Sequence, residues 1–455
     1  MLYNTINPSN GNPIRSYSFI NNNELIEKIN FAFEAYTKWR EVSFAEKTNL
    51  FRQLIVELKE RTNDLAGLMA QEMGKPLHEG IAEINKCIFL CEYYIENGSK
   101  FLTPEEVKTE ATKSYVSFEP MGVIFGIMPW NFPFWQVFRF AVPTIIGGNT
   151  VLLKHAPNVF GCAETIQELF TKAGFPNGIF NNLIIDIDQV EEVIANNHVK
   201  AVSLTGSGRA GKSVAALAGK YLKKSVLELG GSDPYLILRD ADLNIAVNVC
   251  AQSRLINNGQ TCISAKRFIV HNSIKKEFEK MLVEKMKTYK IGSPEIDGVQ
   301  LGPMAREDLL LNLDRQVKES IGMGAVRLLG EGRLSGSGYF YSPTILTNVN
   351  ADMPVWQEET FGPVAAVIGF EKEEEGIMMA NDTIYGLGAA VISNDLKKAE
   401  DIAREKLQAG SCFVNTFVKS DPRLPFGGIN QSGYGRELSH FGMREFLNIK
   451  TVYIH

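Results

Sequence analysis

Tryptophan occurs four times, cysteine six times and histidine six times in the 455 residues. The cysteines, Cys87, Cys91, Cys162, Cys250, Cys262 and Cys412, are scattered and form no Cys-x-x-Cys pair. That argues against a disulfide framework and, with so few histidines, against a zinc site; no metal is expected. Lys and Arg number 47 against 52 Asp and Glu, a net charge of −5 with no compensating basic stripe, so nucleic acid is not an expected partner. Long apolar runs are missing too. The most apolar stretch, Val137 to Leu153, is broken by Arg139, Pro143 and Asn149, so no membrane partner is expected. The opening MLYNTINPSNGNPIRSY has neither the basic nor the apolar region of a secretory leader, which points to a cytoplasmic address. With 45% hydrophobic residues, a chain of this length buries large cores over about three structural units.

The first twenty residues carry Pro8, Gly11 and Pro13 among β-formers and read as a short hairpin. Ser43 with Glu46 spells a capping box, and Phe51, Leu54, Ile55 and Leu58 recur on one face, predicting a helix that opens near Ala45. Amphipathic stretches continue to about Glu96. From Gly122, short β-rich runs alternate with helical ones: GVIFGIM, NTVLLK, a helix over Glu164 to Ala173, NNLIID, a helix near Val190, and KAVSLT. A second alternation carries PYLIL, a helix from about Leu243, RFIV, PVAAVIGF, LGAAVIS and SCFVN. Two α/β units follow from this pattern. KTVYI at the end is a lone β-prone segment, of the kind that pairs elsewhere.

Three motifs carry chemistry. KAVSLT runs into Gly206-Ser207-Gly208-Arg209-Ala210-Gly211 and a helical pattern, a strand–turn–helix in which backbone can approach a pyrophosphate. Glu228, about twenty residues on, would by the simple fingerprint hold a ribose. It also stands in Glu228-Leu229-Gly230-Gly231, 34 residues before Cys262, where it suits a base serving a thiol nucleophile. Cys262 alone among the cysteines follows a Gly-Gln-Thr turn that can face a cleft; the others sit in apparent helices or a strand and read as core. Finally Pro129-Trp130-Asn131-Phe132-Pro133 ends a strand and fixes an amide between two stiffening prolines, as an oxyanion donor requires.

Taken in order, Pro129-Trp130-Asn131-Phe132-Pro133, Thr205-Gly206-Ser207, Glu228-Leu229-Gly230-Gly231, Gly259-Gln260-Thr261-Cys262, Glu359-Thr360-Phe361-Gly362-Pro363 and Pro425-Phe426-Gly427-Gly428 resemble the motifs of the aldehyde dehydrogenase superfamily. The resemblance spans essentially the whole chain. It implies an α/β fold with a Rossmann-type dinucleotide-binding domain over 1–101 and 121–230, an α/β catalytic domain over 231–432, and a small β oligomerisation arm over 102–120 and 433–455. It implies Cys262 as nucleophile, Glu228 as the base for hydrolysis, and Asn131 with the Cys262 backbone N–H as the oxyanion hole. Lys154 and Glu359 match the residues that hold the two riboses, which displaces the fingerprint reading of Glu228. Phe361 matches the aromatic beside the nicotinamide ribose, while Pro129, Trp130, Gly206, Ser207 and Leu229 complete the cofactor set. The implied reaction is oxidation of an aldehyde to a carboxylic acid with NAD or NADP. Pro157, three residues after Lys154, stands where members that favour NAD often carry an acid, and leaves both cofactors open. Assembly as a homodimer or homotetramer is implied by KTVYI with Ser114-Tyr115-Val116-Ser117-Phe118, which in this family form the arm.

Arg139 and Ser420 resemble the arginine and serine with which succinate-semialdehyde dehydrogenases hold the distal carboxylate; an ordinary structural salt bridge is the competing reading of Arg139. The chain's end and Lys154-His155-Ala156-Pro157 look most like the short bacterial members of that subgroup. There are departures. Where many carry a second arginine, six residues before the nucleophile, Ile256 stands here, with Arg254 two residues earlier. Phe140 replaces a lysine of the family's proton relay with the glutamate matching Glu437, and position 264 is serine, so no local Cys-Cys pair adjoins Cys262. A broader aldehyde range, or a catalytically silent dinucleotide-binding protein, are the alternatives.

Overall fold

The computed structural model describes residues 2–455. Its scaffold is two largely parallel sheets, each assembled from the alternating β-rich and helical runs. One has six strands in the order Gly433–Tyr434, Lys224–Glu228, Val199–Thr205, Val123–Met128, Thr150–His155 and Phe180–Asn182. All its pairings are parallel except the first. The connectivity reverses between Val123–Met128 and Val199–Thr205, and such a switch point opens a crevice at the carboxyl ends of the strands. The second sheet has seven strands: Val326–Leu329, Thr344–Thr347, Val364–Phe370, Ala265–His271, Asp233–Ile237, Gly388–Ile392 and Ser411–Val414, antiparallel only at the first pair.

The buried strands Val123–Met128, Thr150–His155 and Asp233–Ile237 read as nearly unbroken apolar runs because helices cover both faces. Leu2–Ile6 and Pro13–Ser18 pair as the expected hairpin. The capping box at Ser43 opens the helix Phe44–Glu60: Ser43 Oγ accepts from the Glu46 amide at 3.2 Å and Glu46 accepts from the Ser43 amide at 3.1 Å. The strand read from NNLIID is only Phe180–Asn182; beyond it Ile184 O is taken by the Ile20 amide, so the chain leaves the ladder.

Glu105–Glu106, Lys113–Pro120 and Leu447–Ile454 form a separate three-stranded antiparallel sheet, with Leu447–Ile454 at one edge. Gly433–Tyr434, grouped with the arm by the sequence, instead pairs with Lys224–Glu228 at the edge of the six-stranded sheet.

Candidate active site

The oxyanion turn leaves the strand Val123–Met128 and feeds the wholly buried helix Trp135–Ile146. Its amides at Phe134 and Trp135 donate to Glu83 Oε1 at 2.9 and 2.8 Å, so a carboxylate fifty residues away caps the helix N-terminus and is itself paired with Lys75. His155 braces the turn from the next strand. Its Nδ1 accepts from the Ala156 amide at 2.9 Å, which leaves Nε2–H to donate to Pro133 O at 2.9 Å. Burial lowers the His155 pKa to about 4, keeping the ring neutral for this brace.

Cys262 lies on a turn held open by strain. Asn257, Asn258 and Gly259 are all left-handed, at φ 56°, 57° and 74°. Asn257 donates its amide to Glu79 Oε2 at 2.8 Å and its Nδ2 to Asn131 O at 2.7 Å; Asn258 Nδ2 reaches Gly74 O at 2.9 Å. A Cβ on Gly259 would fall 2.3 Å from the Gly362 carbonyl carbon, so glycine is obligatory for this close approach. Asn131 Nδ2 donates to Gln260 O at 3.0 Å, which sets the candidate oxyanion amide against the residues leading into Cys262. Burial pushes the Cys262 thiol up to about 12, against the pull of Arg139 and Lys266, both of which favour the thiolate.

Glu228, at the end of Lys224–Glu228, is buried with neither carboxyl oxygen hydrogen-bonded. Burial first and Glu437 second raise its pKa well above the usual carboxylate range, opposed by Arg139 and Arg436. Gly427 leaves room for it: a Cβ there would meet Glu228 Oε1 at 2.7 Å.

Arg139 is where the sequence expectation meets a competing partner. Its guanidinium pairs with the buried Glu437, donates from Nη2 to Thr205 Oγ1 at 3.3 Å and stacks 4.7 Å over the Phe426 ring. The structural salt bridge is therefore real, although Arg139 still lines the same cavity as Cys262. That cavity, about 170 Å³, is also walled by Phe132, Trp135, Ile256 and Ser420. It is smaller than the roughly 300–1,000 Å³ of drug-sized ligand sites, which suits a short substrate. Arg254 does not reach it; its Nη2 donates to Gly259 O at 2.5 Å, a buried structural role. Phe140 packs into the core against Phe446, with ring centroids 5.7 Å apart, so nothing at that position reaches Glu437 as a relay lysine would.

Three residues escaped the sequence reading: Glu79, His155 and Lys86. The last projects from the helix Leu77–Leu102 into the cavity and donates from Nζ to Ser420 Oγ at 2.7 Å. Glu79 and Lys86 stand in no recognisable motif, and His155, although within Lys154-His155-Ala156-Pro157, is marked as a brace only by its partner Pro133.

The cofactor candidates gather at the crevice of the six-stranded sheet. Trp130 and Phe361 meet edge to face, centroids 5.7 Å apart. Ser207 caps the helix Gly208–Lys220, accepting from the Ala210 amide at 3.3 Å. Leu229 packs against Gly211, where a Cβ would come 2.6 Å from its Cδ2. Glu359 Oε1 accepts from the Gly231 amide at 3.1 Å, with Lys266 Nζ at 3.6 Å. Lys154, next to last in the strand Thr150–His155, is a largely buried residue with no carboxylate within ion-pair distance of its ammonium among the described residues. A Cβ on Gly206 would make ordinary contacts with Leu204 and Ala210 at 3.6 and 4.0 Å, whereas around Gly208, beside a helix N-terminus, there is nothing within 4 Å. An unpaired cation, an open glycine at a helix N-terminus and a switch-point crevice fit a dinucleotide.

A thiol on a strained turn, a fixed amide, a buried carboxyl and a dinucleotide crevice together define an enzyme equipped for covalent oxidation of a carbonyl compound. The aldehyde dehydrogenase family model matches residues 1–452, and the chain belongs to that family. It is 43% identical over 450 residues to a probable succinate-semialdehyde dehydrogenase [NADP(+)] of Synechocystis sp., covering 99% of both chains. It is 41% identical to the succinate semialdehyde dehydrogenase [NAD(P)+] Sad of Escherichia coli, covering 99% of this chain and 97% of that one. The crystal structure of succinic semialdehyde dehydrogenase from Streptococcus pyogenes in complex with NADP+ superposes with a TM-score of 0.97 at 37% identity, covering 99% of each chain.

Proposed function

We propose that this enzyme oxidises succinate semialdehyde to succinate with NAD or NADP, water supplying the second oxygen. The observation that carries the reading is the shared cavity: Cys262 lies in one small, mostly apolar pocket with Arg139 and Ser420 at its wall. The named relatives support the same substrate and leave both cofactors open.

The Cys262 thiol gives up its proton to water and Sγ adds to the aldehyde carbon, with Arg139 and Lys266 offsetting the cost of forming the thiolate in a buried site. The alkoxide of the resulting thiohemiacetal is stabilised by Asn131 and the Cys262 amide; Asn131 Nδ2 spends one hydrogen on Gln260 O and keeps the other for the substrate. A nicotinamide, when bound, supplies the acceptor for hydride. The Cys262 thioester is then hydrolysed by water whose proton is taken by Glu228 in its ionised form, which Arg139 and Arg436 favour against burial and Glu437; once ionised, its raised pKa makes it a stronger base than an ordinary carboxylate. Lys154 and Glu359 would hold the ribose hydroxyls, Phe361 would stand beside the nicotinamide ribose, Ser207 and Trp130 would line the pyrophosphate, and Pro129, Gly206 and Leu229 would complete the crevice.

The six-stranded sheet and its helices form the dinucleotide-binding domain, the seven-stranded sheet the catalytic domain, and the three-stranded sheet an oligomerisation arm. Leu447–Ile454 leaves one edge unpaired with Ile449, Tyr453 and Ile454 exposed, which suits strand addition by a second copy in a homodimer or homotetramer. Purified protein given a panel of succinate semialdehyde, butyraldehyde and benzaldehyde with each cofactor tests the reading. Highest kcat/KM for succinate semialdehyde supports it; a preference for an uncharged aldehyde refutes it in favour of a broader aldehyde dehydrogenase.

A further inference from the structure

The cavity beside Cys262 contains a cation that no part of the mechanism above uses. Lys86 projects into it from the helix Leu77–Leu102, its ammonium 4.1 Å over the Trp135 ring and donating to Ser420 Oγ. Its potential anions are spent elsewhere. Glu83 pairs with Lys75 and caps the helix Trp135–Ile146, Asp421 pairs with Arg423 at 2.7 Å, and Glu79 accepts from the Asn257 amide. No carboxylate lies within ion-pair distance of Lys86 among the described residues. A charge removed from water without a counter-ion is costly, and burial accordingly lowers the Lys86 pKa to about 7, with Arg139 adding to the effect.

Arg139, by contrast, is already neutralised by Glu437, and Ile256 contributes no charge at all. Three cations line the pocket: Arg139 is paired with Glu437, Lys419 is exposed to solvent, and Lys86 is the partly buried one without an anion.

Resting on the succinate-semialdehyde reading, we propose that Lys86 is the specificity-determining residue of the pocket: its ammonium, oriented by Ser420 and the Trp135 ring, receives the distal carboxylate of the substrate. The two remaining N–H groups of the Lys86 ammonium and the hydroxyl proton of Ser420 are the donors it offers; Ser420 uses its oxygen, not its proton, toward Lys86. The apolar walls from Phe132, Trp135 and Ile256 take the methylenes between the carboxylate and the aldehyde.

The test is the ratio of kcat/KM for succinate semialdehyde to that for butyraldehyde, measured on the full chain for wild type, Lys86→Met, Lys86→Arg and Ser420→Ala. Lys86→Met is expected to lower the ratio about 10- to 100-fold, chiefly through KM for the charged substrate, because a carboxylate held equally in ground and transition states is uniform binding. Lys86→Arg should recover part of the ratio, and Ser420→Ala should lower it by a smaller factor. If wild type prefers succinate semialdehyde and Lys86→Met keeps that preference within about threefold, Lys86 is not the carboxylate receptor while the substrate reading stands. If wild type shows no preference for the charged aldehyde, the substrate reading fails and the proposal fails with it. A Lys86→Met protein that does not fold is replaced by Lys86→Gln, read against the same ratio.

Discussion

Replacing Glu228 by glutamine separates the two halves of the reaction. The Glu228 carboxyl is buried, neither oxygen is hydrogen-bonded, and burial with Glu437 holds its proton well above the pH at which an ordinary carboxyl loses it. The amide of glutamine matches the protonated acid in shape and charge, so Glu228→Gln breaks no hydrogen bond of the folded chain. Acylation of Cys262 does not require Glu228, and a rapid burst of about one reduced nicotinamide per active site is expected to remain. Hydrolysis loses its general base, typically worth about 100- to 10,000-fold, so steady turnover should fall by that factor. The stability effect has a definite sign. An acid whose folded pKa is raised binds more protons folded than unfolded, so wild type loses stability as pH rises from about 4.3 toward the raised value. Glutamine does not titrate. The variant should match wild type near pH 4 and become relatively more stable at higher pH, read by thermal unfolding across a pH series. Stopped-flow absorbance gives the burst and the steady rate from one trace. If both fall together, Glu228 acts before hydride loss and its assignment as the hydrolytic base is wrong.

Gly259→Ala forces a side chain into backbone at φ 74° and 2.3 Å from Gly362, so about 1–3 kcal/mol of strain, plus the clash, should appear as a lower unfolding midpoint together with slower Cys262 alkylation. Binding of butyrate, a carboxylate that cannot react, should weaken as pH rises through about 7, because Lys86 then loses its charge; Glu79, Glu83, Arg139, Cys262, Lys419 and Asp421 also face this region, and Lys86→Arg should flatten the profile while leaving theirs in place. A pH profile unchanged in Lys86→Arg would assign the titration to one of those groups instead. Light scattering at micromolar protein should give a dimer or tetramer that charged substitutions at Ile449 and Tyr453 break up, whereas a monomeric wild type would remove the assembly role of the exposed edge.

Strand ends and turns were legible in the sequence because their signals are local. The capping box at Ser43, the glycine turn after Val199–Thr205 and the prolines around Asn131 each act within a few residues, and the structure places elements there. Partner identity was not legible. Lys86 stands on an amphipathic helix where any polar residue would read as surface, and Ser420, which orients it, is 334 residues away. The Arg139–Glu437 pair likewise joins distant segments, so the sequence left open whether Arg139 had a structural partner; the fold supplies one. Gly433–Tyr434 offers only two residues of strand, too short for any periodicity to reveal that it extends the cofactor sheet.

The most direct test of the central claim is nicotinamide reduction by the purified protein with succinate semialdehyde, comparing wild type with Cys262→Ala and following cofactor binding by fluorescence in both. Turnover by wild type, its loss in Cys262→Ala and unchanged cofactor affinity are the expected results. Turnover in Cys262→Ala near the wild-type rate would contradict a covalent mechanism at Cys262, and absence of turnover by wild type with either NAD or NADP would contradict the proposed reaction itself.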